Sequence, residues 1–507
     1  MLFNSYEYIF VFLPVMLAGF FLLGRKVHHQ VALAWLAMGS LFFYGWWNHA
    51  YVSLIVGSMI FNYAVGFQLQ SPKITEGFRR CLLTFGVSVN LALIGYFKYA
   101  NFFVDNLNST VGTTFHLEKI ILPLAISFFT FQQIAYLVDA RRQELHEHNF
   151  LHYFLFVTFF PQLIAGPIVH HKEIMPQFLK DKMYRPKAEN FAAGITVFGI
   201  GLFKKVILAD EVAEYATPIF DIAGSASAPL TFFDSWSGAV AYTLQIYFDF
   251  SGYTDMAIGS AIMFGIMLPL NFNSPYKAYN IIDFWRRWHM TLSRFFRDYL
   301  YIPLGGGRAG GAKMAVNLII TMLLGGLWHG AGWTFVLWGL LHGVYLAINH
   351  VWRTFREKVL GHDMKRVSFI GRAASITVTM FAVILGWVFF RAETPNAAAA
   401  MLKGMFGMNG ATLPNAIIKM HPILTRIFEN LHIQSDATSG TLFITKWISL
   451  LLISSILFLP NSIQYMNSVF FGKELSNARL FAHAMLASVM IVWAVIAIGK
   501  PSEFLYF

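Results

Sequence analysis

The sequence predicts an all-α polytopic membrane protein, and three observations support this fold class. Hydrophobic residues make up 57% of the 507 residues and charged residues only 12%, whereas soluble globular proteins contain about 25% charged residues. Many separate apolar runs reach about 18 to 20 residues, enough for a helix to cross a hydrocarbon core of about 30 Å. These runs are continuous and do not alternate with polar residues, which argues against a transmembrane β-barrel.

The charge of the early loops predicts the orientation. Lysine and arginine occur in alternate loops, at Arg25 and Lys26, at Lys73, Arg79 and Arg80, and at Arg141 and Arg142. The intervening loops, at 48–49 and 100–118, contain neither residue type. The positive-inside rule therefore places the basic loops in the cytoplasm and the N-terminus outside. Residues 1–24 lack a basic leader segment, so we expect a retained first span rather than a cleaved signal peptide.

Apolar runs continue along the rest of the chain. Further spans are expected near 150–165, 190–209, 236–248, 255–270, 373–390, 444–460 and 482–499. The segment 391–443 is the longest late loop, and the alternation places it outside. The net charge of +11 favours cytoplasmic loops that face anionic membrane lipids over nucleic-acid binding. The single cysteine, Cys81, excludes an intrachain disulfide and is expected to be a small buried residue.

Residues 271–313 are too polar to span a membrane. Seven lysines and arginines against two aspartates give this segment a charge of +5, nearly half of the net charge. Within it, 283–298 is amphipathic at helical spacing, with Asp283 placed to pair with Arg287 and Arg294 with Asp298. The segment is interpreted as an interfacial or re-entrant cytoplasmic helix, which either faces lipid or receives a phosphate-rich ligand on its arginines.

The next segment, 315–350, is interpreted as a hydrophobic hairpin with a polar tip at 328–333. Its first apolar arm is expected to be too short to cross the membrane, which would hold His329 within the membrane. An ionisable residue in that environment is a functional candidate by default. His289 is the second candidate, because each of these histidines follows a tryptophan and a neutral buried imidazole suits a general base.

The remaining histidines form two groups, His146, His148 and His152, and His170 with His171. Metal binding by these groups is considered, but solvated loop histidines are the favoured interpretation. No metal site is therefore predicted. The chain also lacks the GxSxG, Walker A and HExxH signatures of common soluble enzymes.

The chain resembles the membrane-bound O-acyltransferases, and within that family the bacterial membrane proteins of alginate O-acetylation. The resemblance includes Phe284-Trp-Arg-Arg-Trp-His289 and Trp328-His329-Gly330. Eight ordered blocks carry it, at 96–102, 122–132, 160–167, 245–259, 284–293, 297–306, 317–333 and 386–392. It implies one membrane acyltransferase domain over 1–507, with N-terminal helices in 1–150, a catalytic core in 151–392 and C-terminal helices in 393–507.

The resemblance also implies a bundle of about 11 to 13 transmembrane helices, with re-entrant or interfacial helices, around a central tunnel. It implies that His329 is the essential catalytic histidine and His289 the supporting one, facing each other across the tunnel. Supporting tunnel residues would be Trp328, Trp288, Asp249, Ser251, Tyr253 and Asp255, with a purely structural polar network as the alternative for the last four. Acyl-donor residues would be Arg286, Arg287, Arg294 and Arg297.

The implied activity is acetyl transfer from cytoplasmic acetyl-CoA, with no bound cofactor, in a bacterial inner membrane. A periplasmic acetyltransferase or acceptor protein would pass the acetyl group to an exopolysaccharide such as alginate. Acetylation of cellulose or peptidoglycan, and D-alanyl transfer to teichoic acid, are the alternatives within the family. A transporter or a non-catalytic scaffold of a polysaccharide machine is the alternative from another class.

Overall fold

The computed structural model describes residues 1–145, 147–363, 368–419, 433–436, 440–470 and 477–499, with 425, 426, 428 and 430. His146 lies outside the described residues. The chain divides into two compact units. The first unit comprises Met1–Val206, Phe250–Asn271 and Ser462–Phe507, and the second comprises Ile207–Asp249 and Phe272–Asn461.

The described part of the first unit is helical. Its α-helices are Leu13–Lys26, His29–Gly45, Ala50–Leu69, Glu76–Ile94, Ala100–Val111, Ile126–Arg141, Phe150–Thr158, Phe160–Leu163, His171–Ile174, Ala188–Phe203, Ser462–Phe470 and Asn477–Ala497. π-Helical turns occupy Glu7–Phe12 and Gly95–Tyr99, and 3₁₀ turns occupy Met175–Gln177 and Asp181–Tyr184. A further π-helical turn, Lys204–Ala209, crosses from the first unit into the second.

The second unit is also mainly helical. Its α-helices are Asp210–Ser225, Ile281–Trp285, Met290–Phe296, Gly311–His329, Trp333–Lys358, Phe369–Arg391, Pro395–Met405, Asn415–Ile418 and Gly440–Ile456. The π turn Arg297–Tyr301 and the 3₁₀ turns Pro275–Lys277 and Gly306–Ala309 connect them. The strands Thr412–Pro414 and Gln434–Asp436 form a short parallel pair, with Thr412 opposite Gln434. The helix Phe232–Met263 begins in the second unit and ends in the first.

Among the described residues, seven helical segments are long and apolar enough to cross a membrane. They are Glu7–Lys26, Ala50–Leu69, Glu76–Val111, Ala188–Ser225, Gly311–His329, Trp333–Lys358 and Phe369–Arg391. Shorter apolar helices cover Gly440–Ile456 and His483–Ala497. The all-α polytopic fold class is therefore confirmed, while the total of about 11 to 13 spans stays a prediction.

Three predicted spans differ from the structure. The runs 236–248 and 255–270 belong largely to one continuous helix, Phe232–Met263, of 32 residues. The helix can continue through the polar residues between the runs, because Asp255 is paired with Lys204 and accepts a hydrogen bond from Ser462. The run 150–165 is instead interrupted after Thr158. A helix continued through Pro161 would bring its ring against the carbonyl group four residues earlier.

Two segments predicted to be loops contain regular structure, and Cys81, which was predicted to be buried, is exposed. The loop 100–118 is helical up to Val111 and turns at Gly112, whose φ of 73° is a left-handed conformation that glycine adopts without strain. The late segment 391–443 contains the helix Pro395–Met405 and the two short strands. Cys81 is exposed on the helix Glu76–Ile94, so the prediction that it is buried was wrong. A thiol is apolar enough to face lipid.

Candidate active site

The helices Gly311–His329 and Trp333–Lys358 pack so closely that their backbones are in contact. A Cβ atom on Gly343 would lie 2.8 Å from Ile319 Cα, and Cβ atoms on Gly326 and Gly339 would collide with carbonyl groups of the facing helix. Small residues allow membrane helices to approach this closely. The hairpin is confirmed, but its first arm has 19 residues and is long enough to cross, so the prediction of a short arm was wrong.

His329 is the last residue of its helix and is half-buried. The chain becomes extended at Gly330, where a Cβ atom would collide with the ring of Phe335. Aromatic rings surround the imidazole, with ring centroids at 4.8 Å for Trp328, 5.1 Å for Trp338 and 5.0 Å for Phe390. His329 is therefore held in an apolar wall while part of its ring stays accessible.

His289 lies opposite, with its ring centroid 6.4 Å from that of His329 and 5.9 Å from that of Trp328. The side chain is 1% exposed, and burial lowers the pKa of His289 to about 3, so its imidazole is neutral. The structure thus brings together both histidines and Trp328, as the family resemblance implies. The Trp288 ring packs on that of Trp387, with centroids 4.8 Å apart.

The backbone at His289 explains this placement. The predicted amphipathic helix 283–298 is divided into Ile281–Trp285 and Met290–Phe296, and His289 joins them with φ 43° and ψ 53°. The Arg287 carbonyl accepts a hydrogen bond from Asn273 N–H at 3.0 Å. In a continuous helix this carbonyl would instead accept from the N–H group four residues later. A left-handed histidine costs on the order of 1 kcal/mol, and surrounding packing maintains it.

A third histidine, His342, was missed by sequence reasoning. It is fully buried, and its ring lies 4.9 Å from that of Trp338, which in turn contacts His329. Trp285 Nε1 donates to His342 Nδ1 at 3.3 Å, which leaves the proton on Nε2. Nε2 has no hydrogen-bond partner among the described residues, and a Cβ atom on Gly386 would lie only 2.7 Å from it. The helical spacing of Trp338 and His342, four residues apart, was the available signal.

The four predicted donor arginines separate into different environments. Arg287 has a structural role, since its Nε donates to Asp283 Oδ1 at 2.9 Å and its Nη1 donates to Asn273 O at 3.3 Å. The predicted Asp283–Arg287 pair is therefore confirmed. Arg297 donates twice to Asp298, at 2.7 and 3.1 Å, where the helical spacing had pointed to Arg294.

Arg286 and Arg294 complete the set. Arg294 is half-buried in the helix Met290–Phe296, whereas Arg286 is exposed. Arg286 and Arg353 both interact electrostatically with His350, so two cationic groups converge near that side chain. Arg286 is therefore the predicted donor residue best placed to meet an anionic ligand.

The four predicted supporting residues of the helix Phe232–Met263 are all buried. Asp249 belongs to the second unit, and the other three belong to the first. Asp255 Oδ2 binds Lys204 Nζ at 2.7 Å and Ser462 Oγ at 2.6 Å, while Tyr253 stacks on Phe3 at 4.6 Å. These contacts favour the structural alternative for Asp255 and Tyr253, and the role of Asp249 and Ser251 stays a prediction.

The remaining histidines are less solvated than expected. His152 is 2% and His171 5% exposed, so the prediction of solvated loop histidines was wrong for these two. His170 Nε2 lies 2.7 Å and His171 Nδ1 3.5 Å from Asp139 Oδ2, close enough to suggest a metal site. However, His170 Nδ1 accepts the Lys172 N–H, which leaves the proton on Nε2. That nitrogen is then a donor to Asp139 rather than a metal ligand.

Comparison with known proteins identifies the family of this chain. Residues 89–387 match the model of the membrane-bound O-acyltransferase family. A peptidoglycan O-acetyltransferase of Helicobacter pylori is 44% identical over 458 residues, 85% of this chain and 84% of the relative. The probable alginate O-acetylase AlgI of Pseudomonas aeruginosa is 40% identical over 80% of this chain and 75% of its own length.

A more distant relative is the teichoic acid D-alanyltransferase of Bacillus subtilis, 30% identical over 54% of this chain and 69% of its own length. The family match contains both site histidines and the helices that carry them. The chain therefore belongs to the membrane-bound O-acyltransferase family and is an acyltransferase.

Proposed function

We propose that this protein takes an acetyl group from cytoplasmic acetyl-CoA and passes it across a bacterial inner membrane for O-acetylation of a glycan outside. The observation that carries the proposal is the pair His289 and His329, with ring centroids 6.4 Å apart within an aromatic environment. Family membership supplies the reaction class, acyl transfer. The proposed orientation has the N-terminus outside and the basic segment 271–313 in the cytoplasm.

In this proposal His329 is the general base, because it is the more accessible of the two histidines. It removes the proton of an acceptor hydroxyl as the oxygen attacks the thioester carbonyl carbon. The C–S bond breaks, and the departing thiolate takes the proton from His329. In an alternative sequence His329 carries the acetyl group briefly before the acceptor oxygen attacks. His289 remains neutral and orients the group that His329 contacts.

The donor would approach along Arg286 and Arg353. Acetyl-CoA carries several phosphate groups, and arginine binds phosphate through paired N–H groups. Arg286→Gln should raise the KM for acetyl-CoA about tenfold with little change in kcat, since this contact is made equally before and during the reaction. Arg80→Gln, an exposed arginine elsewhere, is the matched control. A fall in kcat with unchanged KM would exclude Arg286 from donor binding.

The acceptor is proposed to be the serine of a periplasmic acetyltransferase or another acceptor protein, which then modifies the glycan. Peptidoglycan and an exopolysaccharide such as alginate are the two candidate glycans. Peptidoglycan is favoured by one observation, the 44% identity over 85% of this chain to a peptidoglycan O-acetyltransferase. Mass spectrometry of muropeptides and of secreted polysaccharide from cells with and without His329→Ala would identify which of them loses acetyl groups.

The direct test uses purified full-length protein in nanodiscs with labelled acetyl-CoA. Wild type should release the thiol and transfer acetyl to a serine-containing acceptor, and His329→Ala should lose both while retaining its thermal unfolding temperature. His148→Ala, an exposed histidine, should behave as wild type. Unchanged turnover by a folded His329→Ala protein would refute the assignment. Absence of acetyl-CoA binding and turnover in folded wild type would favour a carrier-protein donor, a transporter or a scaffold.

A further inference from the structure

An apolar groove of about 700 Å³ lies in the first unit, remote in sequence from the histidine hairpin. Twelve of its fifteen lining residues belong to three helices, Leu13–Lys26, Ala188–Phe203 and Asn477–Ala497, and the other three are Ile9, Pro186 and Met263. All fifteen lining residues are apolar, among them Leu17, Phe21 and Ile491. Two of the three helices belong to membrane-crossing segments. The side chains that line the groove have no hydrogen-bonding group, so the groove favours a hydrocarbon chain over a polar ligand.

One end of the groove is strongly basic. Leu22 lines the groove one helical turn before Arg25 and Lys26, and Pro186 lines it between Arg185 and Lys187. All four basic side chains are exposed. Residues 180–189 contain two acidic side chains, Asp181 and Glu189, against four basic ones. The end is therefore cationic even when its carboxylates are counted.

Contacts of Tyr184 show that the two basic segments meet. The Tyr184 ring stacks on His29 with centroids 3.9 Å apart, and a Cβ atom on Gly24 would lie 3.0 Å from the same ring. Tyr184 directly precedes Arg185, and Gly24 directly precedes Arg25. The positive charges of both segments thus lie around one mouth of the groove.

The opposite end of the groove lies next to Tyr6. Ile9 and Val495 line it, and Tyr6 Oη donates a hydrogen bond to Val495 O at 3.0 Å. The lining residues Ile9 and Leu22 are thirteen positions apart along the chain, which corresponds to about 20 Å of helix. One leaflet of hydrocarbon core is about 15 Å thick. The groove therefore extends over the depth of a lipid acyl chain, with cations where the headgroup of that lipid would lie.

We propose that this groove binds an anionic phospholipid as a specific site. One acyl chain lies among the three helices, and the phosphate group contacts Arg25, Lys26, Arg185 and Lys187. Basic pockets between transmembrane helices on the cytoplasmic side bind lipid headgroups by this combination of charge and apolar contact. The proposal does not depend on the acetyl donor or the acceptor glycan.

The test measures the lipid retained by the full-length protein after reconstitution in mixed phosphatidylglycerol and phosphatidylcholine nanodiscs and extraction into detergent. Wild type should retain phosphatidylglycerol in preference. In the double variant Arg185→Gln/Lys187→Gln, the ratio of retained phosphatidylglycerol to retained phosphatidylcholine should fall about tenfold. Lys73→Gln/Arg80→Gln removes two exposed cations elsewhere in the same unit and should retain it. Equal retention of both lipids by wild type, or equal losses in the two double variants, would overturn the proposal.

A second variant tests the acyl chain separately. Ala18 lines the groove and is exposed, so Ala18→Phe fills the space without displacing the protein core. Retained phosphatidylglycerol should fall in this variant, although its basic residues are intact. Unchanged retention in Ala18→Phe would show that the lipid binds outside the groove and would refute the site. The thermal unfolding temperature confirms that each variant is folded.

Discussion

Replacing Gly343 with alanine should disturb the active site from a position in the helix contact rather than among the site histidines. The added Cβ would lie 2.8 Å from Ile319 Cα on the facing helix, and an ordinary contact begins at 3.4 Å. Both helices meet here through backbone, so no flexible side chain can move aside. The helices must therefore separate by about 0.6 Å at this point.

The two consequences of that separation differ in size. Overpacking of a close contact costs about 1 to 3 kcal/mol, and the better helix propensity of alanine returns about 1 kcal/mol. Stability should therefore fall by at most about 2 kcal/mol. Activity should fall about tenfold or more, because the neighbouring His342 and Trp338 support His329 and a displacement of about 1 Å can cost about 100-fold.

Thiol release from acetyl-CoA measures the activity, and thermal unfolding in detergent measures the stability. Gly57→Ala is the matched control, because Gly57 is also within a membrane-crossing helix but a Cβ atom there would meet nothing within 4 Å. That variant should keep the wild-type rate and unfold at the same or a higher temperature. If Gly343→Ala matched Gly57→Ala in both measurements, the close helix contact would not position the site.

Two further predictions concern the first unit. Lys204→Met should lower the free energy of unfolding by about 3 to 5 kcal/mol, because it leaves Asp255 buried without its cation, and Lys204→Met/Asp255→Leu should recover most of that loss in thermal unfolding. Additive losses in the double variant would contradict this. Burial lowers the pKa of His171 from 6.5 to about 4, so the unfolded chain binds more protons between these values and stability should fall as the pH drops from 6.5 to 4. The loss in the free energy of unfolding is at most about 3 kcal/mol. It should shrink in His171→Gln and persist in His148→Gln. An unchanged dependence of stability on pH in His171→Gln would refute the prediction.

The sequence predicted features that depend on nearby residues or on the bilayer. Apolar runs identified membrane helices, because the thickness of the hydrocarbon core sets their length. The Asp283–Arg287 pair followed from helical spacing. The two candidate histidines were chosen from the tryptophan beside each and from the family resemblance, and their catalytic role stays a prediction. Their separation and burial, however, required the structure.

Features that depend on distant partners could not be predicted. The helix break before His289 involves Asn273, fourteen residues before Arg287. The merging of two expected spans into one helix depends on Asp255, whose partner Ser462 lies 207 residues away. His342 belongs to the site only because Trp285 and Gly386 come from separate helices that meet around it. Periodicity within one segment contains no information about such contacts.

The left-handed backbone of His289 has a consequence for how mutagenesis at this position is designed. Alanine disfavours that conformation, so an alanine variant would lose the imidazole and would also favour a different backbone conformation at this position. Asparagine tolerates the same φ and ψ and keeps a polar side chain, and glycine adopts them without strain. A series of asparagine, glycine and alanine at this position therefore separates what the ring does for chemistry from what the turn does for the shape of the polypeptide.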